Sequence, residues 1–261
     1  MGFFGKNLGI DSSTDQNWSR VLARTRRTND NKDIISETEI KKLDSLKAEH
    51  INNVYSQVNL TLLGNDSVFL PNGQNLADWA PPEDFQTRFV YYLAGYDEDN
   101  RPIWIAELGR WNIKKVIEDG YIKEFDLFVK QLAHLAIKSI YERSSDDFPV
   151  DEAICVLDFA DLKMEQLRHQ PTVRYVLGLA NEFQSVANKY LGEAIVINTN
   201  FAAETLMNLV KPILGGLFER ITVYGNNKSQ WIPKLLRKLP RKYVPEWYGG
   251  SKDFKPLKIY G

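Results

Sequence analysis

The chain has 261 residues, with 33 basic against 34 acidic side chains and a formal net charge of −1. So even a balance excludes a global field for nucleic acid or an anionic membrane, and any electrostatic partner must meet a local patch. The lone cysteine, Cys155, excludes an internal disulfide and fits a reducing compartment. No apolar run approaches the ~20 residues of a membrane span. Met1-Gly2-Phe3-Phe4-Gly5-Lys6 lacks the apolar stretch of a secretory signal, and Lys6 stands where a myristoylation motif has Ser or Thr. The expectation is a cytoplasmic protein of one ordinary domain or two small ones.

Residues 1–80 are polar and irregular. One helix is predicted over 37–58, where Ser36 and Glu39 form a capping box and Ile40, Leu43, Ile51, Val54 and Val58 repeat with helical spacing. Asn72-Gly73 and Ala80-Pro81-Pro82 break the chain. Strands are predicted over 89–93 and 103–107, joined as a hairpin around the turn 97–100. A long helix follows over 122–143, with Tyr121, Phe125, Phe128, Leu132, Leu135 and Ile140 near one face.

From residue 153 the pattern is regular. Strands over 153–157, 194–198 and 221–225 alternate with helices over 171–190, 201–214 and 228–239, and Pro171 suits a first helical turn. A Pro- and Gly-rich tail ends the chain. Such alternation implies right-handed crossovers and a largely parallel sheet in an α/β fold.

Catalytic signatures are missing. The turn Asp158-Phe159-Ala160-Asp161-Leu162 has no glycine, so it cannot cradle a pyrophosphate, and there is neither a Walker loop nor a Gly-x-Ser-x-Gly elbow. His50, His134 and His169 lie far apart, without neighbours at metal-ligand spacing. Asp158 is expected to bond the neighbouring loop and Asp161 to start a helix. The expectation is a protein that is not an enzyme and takes no cofactor or metal.

The helix over 201–214 is too apolar for a surface position. Phe201, Leu206, Met207, Leu209, Val210, Ile213 and Leu214 cover more than half of its circumference, whereas a helix lying on a sheet usually shows one stripe about 100° wide. It must be covered on both sides or face something that is not always there, and a bound lipid is such a thing.

Several blocks resemble the CRAL-TRIO lipid-binding family. They are Gly95-Tyr96-Asp97, Arg101-Pro102-Ile103-Trp104 with Glu107-Leu108-Gly109, Val156-Leu157-Asp158, Ile197-Asn198, Leu209-Val210-Lys211-Pro212-Ile213-Leu214 and Val244-Pro245-Glu246-Trp247-Tyr248-Gly249-Gly250. They occur in family order over residues 79–261. Trp79-Ala80-Pro81-Pro82-Glu83 and Lys258-Ile259-Tyr260-Gly261 look most like the animal branch with supernatant protein factor and alpha-tocopherol transfer protein. The resemblance implies a divergent helical region over 1–78, a lipid-binding domain over 79–250 and a tail over 251–261. It also implies a hydrophobic pocket floored by the sheet and closed by a gate helix, here Phe201–Leu214. On the family pattern the lining falls on Phe125, Phe128, Leu132, Cys155, Leu157, Leu179, Phe183, Ala194 and Val196. From the gate come Phe201, Leu206, Met207, Val210 and Leu214.

The chain departs from the family where phospholipid headgroups are held. Lys189 replaces a headgroup glutamate, a threonine is lost near Leu217, and Lys163 and Glu165 replace phosphate-binding hydroxyls; Arg220 keeps its basic character. The resemblance therefore implies binding and transfer of an apolar ligand, such as a tocopherol, retinoid, carotenoid or similar isoprenoid-type lipid. Phosphatidylinositol or phosphatidylcholine transfer is the alternative, and an interaction module with a collapsed pocket is another. Lys234, Arg237, Lys238, Arg241 and Lys242, interleaved with Trp231, Leu235, Leu236 and Tyr243, form with Arg220 a candidate patch for transient contact with an anionic membrane surface. The same residues also fit a solvated helix end whose cations suit its dipole. No nucleic-acid partner is expected.

Overall fold

The computed structural model describes residues 68–70 and 72–260, so the helix predicted over 37–58 lies outside the described residues. Six strands form one mixed sheet in the order β5-β4-β3-β2-β1-β6. They are β1 Tyr91–Tyr96, β2 Pro102–Ala106, β3 Ala153–Asp158, β4 Leu191–Thr199, β5 Ile221–Gly225 and β6 Lys258–Tyr260. β2 to β5 are parallel neighbours, and β1 runs antiparallel to both β2 and β6. The helices are α1 Phe85–Arg88, α2 Ile113–Glu118, α3 Ile122–Tyr141, α4 Met164–Arg168, α5 Gln170–Tyr190, α6 Phe201–Leu214 and α7 Lys228–Lys238.

The predicted mixed, largely parallel α/β fold is present, and every predicted element after residue 80 lies within a few residues of its place. Side-chain alternation then divides the sheet into two faces. Ile103, Ile105, Ile154, Val156, Ile195 and Ile197 point to one face, where Trp231 and Leu235 of α7, Val244 and Tyr248 close over them. On the other face the register aligns Trp104 with Cys155 and Ala194, and Ala106 with Leu157 and Val196. α3 covers part of that face.

The aromatic cluster beneath α3 is dense. Phe89 meets Phe125 at 4.8 Å and Phe85 at 4.9 Å between ring centres, both edge-on, and Phe85 meets Phe128 at 5.7 Å. Each such ring contributes roughly 1.5–3 kcal/mol by burial, with about 0.5–1.5 kcal/mol more from each well-placed pair. This is the rigid end of the face.

Residues 258–260, within the expected tail, add β6 to the sheet edge, and Tyr260 stacks on Tyr91 at 5.4 Å and on Trp104 at 5.7 Å. The boundary at residue 78 falls inside a packed segment, because Val68, Leu70 and Leu76 bury against Ile137 of α3. The Gln131 amide donates to the carbonyls of Leu76 (2.9 Å) and Trp79 (2.7 Å). α2 and α4 escaped the periodicity reading because each is about one and a half turns long, too short to repeat an apolar stripe.

Candidate functional site

The over-apolar helix is α6, with the predicted bounds. Asn200 starts it: its Oδ1 accepts from Ala203 N (3.0 Å), and its Nδ2 donates to the Leu162 carbonyl (2.9 Å), pinning the helix start to the loop after β3. Gly215 ends it at φ +56°, a conformation costly for any residue with a Cβ. Pro212 removes an amide from the last turn. The Gln184 side chain of α5 donates to the Ile213 carbonyl (2.8 Å) and holds that loosened end. An asparagine directly before the apolar run was a legible cap signal; nothing in the sequence announced the Gln184 tether.

The excess apolar surface of α6 divides in two. Ala202, Ala203, Leu206, Leu209 and Val210 are buried, while Met207, Ile213 and Leu214 are half-buried and Phe201 is 59 % exposed. The helix lies mainly against α5 and touches α4 and β4.

Beneath, the sheet is not closed. Cys155 and Leu157 belong to β3, a central strand, yet both keep accessible surface, whereas Ile154 and Val156 on the opposite face are sealed. A side chain in the middle of a sheet stays accessible only where nothing fills the space above it. The protein around Cys155 nevertheless desolvates it, since burial pushes its thiol up to about 12.

Leu132 of α3 and Leu179 of α5 are half-buried and pack on the same apolar cluster as Cys155 and Leu157. Ala194 and Val196 share the face in register but are buried. Phe125 and Phe128 are corrections: both are fully buried in the aromatic cluster, where ring-to-ring packing leaves no free surface for a wall. Phe183 is half-buried and packs with Val68, Leu76 and Ile137 instead. Leu206 and Val210 are core residues of α6.

The basic patch is also divided. Arg220 is taken up by the chain itself: its Nη1 donates to the carbonyls of Leu191 (2.7 Å) and Asn188 (3.3 Å) at the end of α5, and to Glu152 (3.4 Å). A cation there suits the helix dipole. Lys238 pairs with Glu193 of β4, a partner distant in sequence. Lys234 and Lys242 lie over the rings of Tyr224 (5.1 Å) and Tyr243 (4.6 Å), and Arg237 and Arg241 are exposed. At the eroded headgroup positions, Glu165 pairs with Lys114, which lowers its pKa, and the Lys189 ammonium lies 4.7 Å over the Tyr190 ring.

Asp158 bonds the following loop as expected, accepting from Ala160 N at 2.8 Å. Asp161 does not start a helix; it turns the chain at φ +67°, and α4 begins at Met164. His169 Nδ1 and the Thr172 hydroxyl share a 2.8 Å hydrogen bond. Among the described residues, no group of His, Cys, Asp and Glu is placed to hold a metal ion, and no helix is long and apolar enough to cross a membrane.

A sequence model of the CRAL/TRIO domain matches residues 86–250. The chain belongs to the CRAL/TRIO family. It is 25 % identical over 172 residues to the CRAL-TRIO domain-containing protein YKL091C of Saccharomyces cerevisiae, covering 62 % of this chain and 52 % of that protein. It is 24 % identical over 175 residues to the SEC14 cytosolic factor of Kluyveromyces lactis, covering 63 % of this chain and 54 % of that protein. The chain thus spans about half the length of these curated relatives. The crystal structure of Sfh5 superposes with a TM-score of 0.52 at 15 % identity, covering 96 % of this chain and 76 % of that one, a likeness of fold. The two curated relatives come from Saccharomyces cerevisiae and Kluyveromyces lactis, so the expected place in the animal branch finds no support.

Proposed function

We propose that this chain is a non-enzymatic lipid carrier that holds the apolar body of a lipid between the Cys155–Leu157 face of the sheet and α6, and exchanges it at membranes. The observation behind this is the accessible surface on two central-strand residues, which continues in register onto Ile221 and Val223 of β5. Family membership supports it. Transfer of an apolar tail from water contributes about 25 cal/mol per Å² buried, so such a space needs few polar contacts to hold its cargo.

The cargo we favour is largely apolar and of isoprenoid type. Arg220, Glu165 and Lys189, which stand at headgroup positions, are engaged within the chain by carbonyls, by Lys114 and by Tyr190. The specific observation for the second reading, a phospholipid, is the similarity to a protein named SEC14 cytosolic factor. A vesicle-to-vesicle assay with labelled tocopherol, phosphatidylinositol and phosphatidylcholine separates the two. Movement of tocopherol alone is expected; movement of either phospholipid at the same rate replaces the first reading by the second, and no movement of any overturns both.

A further inference from the structure

A crevice of about 670 Å³ opens at the carboxyl ends of β2, β3 and β4, beside the start of α7. Most of its lining residues are polar or charged, and none of them is Cys155, Leu157 or a residue of α6. Crevices outside the carboxyl ends of parallel strands are where α/β sheets bind small molecules, and this volume lies within the range of small-molecule sites.

Asp158 anchors the crevice. Its Oδ2 accepts from the Tyr248 hydroxyl (2.5 Å) and its Oδ1 from Asn198 Nδ2 (2.9 Å). Asn198 holds that position at φ +57°, in the left-handed region that asparagine tolerates better than most residues. Close by, Tyr92 is only 5 % exposed, and its hydroxyl has no hydrogen-bond partner among the described residues. Tyr92 itself is not part of the lining; burial first, then the charges of Glu107 and Asp158, hold its pKa above the ordinary tyrosine value. An unpaired buried hydroxyl costs about 1–3 kcal/mol unless something meets it.

The charges argue against a phosphate. Three carboxylates, Glu107, Asp158 and Asp161, outnumber the two cations of the lining, Arg110 and Lys228. Arg110 donates to Glu107 at 2.9 Å, and Lys228 donates to the Trp247 carbonyl at 3.3 Å. Trp247 is in the lining and 54 % exposed, with its ring in edge-type contact with Tyr248 at 6.0 Å and Phe254 at 6.5 Å. An aromatic plate beside carboxylates and amides matches a ring with an apolar C–H face and a rim of hydroxyls, each of which can donate and accept.

We propose that this crevice binds an uncharged polyhydroxylated ring, a sugar either free or as the headgroup of a glycolipid, stacked on Trp247 and hydrogen-bonded to Glu107, Asp161 and Asn226. Asn200 lies in the same lining and caps α6, so an occupant stiffens the first turn of that helix. The site does not depend on what lies under α6.

Saturation-transfer NMR with glucose, galactose and mannose, each offered separately to the full chain, tests the free form. Sedimentation with phosphatidylcholine vesicles, with and without glucosylceramide, tests the lipid-linked form. Transfer to at least one sugar, or retention on glucosylceramide vesicles above plain ones, is expected, weakened about tenfold in Trp247→Ala. Hydrogen exchange at the Ala203 and Glu204 amides slows when the sugar is present. Trp247 and Asn226 are exposed, so Trp247→Ala and Asn226→Ala retain the fold, which circular dichroism verifies. Response to free sugar assigns that source and response to glucosylceramide alone assigns the headgroup. No response in either arm, or a response that both variants keep in full, overturns the site.

Discussion

The Tyr248 hydroxyl donates a 2.5 Å hydrogen bond to Asp158, joining the end of β3 to a turn ninety residues further along. Both residues are buried, and the bond clamps the segment after α7 onto the sheet. Tyr248→Phe leaves a buried carboxylate oxygen unmet, with an expected loss of about 1–3 kcal/mol. Urea unfolding should show a lower midpoint with an unchanged slope.

The alkaline limit follows from the same tyrosines. Burial, the foremost cause, holds the phenols of Tyr91, Tyr92 and Tyr248 above their ordinary pKa near 10. In the unfolded chain these groups ionise near pH 10, while the folded protein keeps them protonated. Their contribution is therefore complete below about pH 10 and is lost as the pH rises toward the folded values. Thermal midpoints should stay level to about pH 9 and then fall, with part of the phenolate absorbance appearing only on unfolding. Full phenolate titration near pH 10 in a still-folded protein would contradict this.

Val156 and Leu157 are adjacent on β3 but face opposite ways, and only Val156 is sealed. Val156→Phe should cost about 1–3 kcal/mol by overpacking. If the proposed lipid space lies beside Leu157, Leu157→Phe should change stability by no more than about 0.5 kcal/mol, because its ring would enter that space. The same ring should reduce the amount of lipid carried. Equal losses of stability for the two variants, read from thermal midpoints, would mean that both faces are filled.

Arg237 and Arg241 are exposed guanidinium groups of the basic patch, whereas Arg220, though also exposed, and Lys238 have partners within the chain. Charge reversal at Arg237 and Arg241 should weaken binding to anionic vesicles by about 1 kcal/mol each, or roughly fivefold per residue. Arg220→Ala should leave vesicle binding unchanged and lower stability by about 1 kcal/mol through the end of α5. Sedimentation with phosphatidylserine vesicles, together with thermal unfolding, separates these outcomes.

Much of the fold was legible because local patterns and the global sheet agree from residue 153 onward. The strands over 194–198 and 221–225 and the apolar run of α6 each carry an unambiguous period. The divided role of α6 was only half legible. Composition announced too much apolar surface, but which residues are core depends on how α6 leans on α5, and single-helix periodicity does not encode that. Phe125 and Phe128 show the same limit: their spacing put them on the sheet-facing side of α3, while Phe85 and Phe89, distant in sequence, decide that they are sealed. The partnership of Lys238 with Glu193 was hidden because the acidic residue comes from β4 rather than from the basic cluster. The strand at 258–260 was missed because three residues are too few for a pattern.

Lipid held between the Cys155–Leu157 face and α6 should be directly detectable. The most direct measurement is native mass spectrometry of the full chain after equilibration with vesicles containing phosphatidylcholine, phosphatidylinositol and α-tocopherol, followed by gel filtration. One lipid molecule per chain, diminished in Leu157→Phe while the protein remains folded, is the expected result. A chain that emerges bare from this mixture, with Leu157→Phe and Val156→Phe equally destabilised, would contradict it.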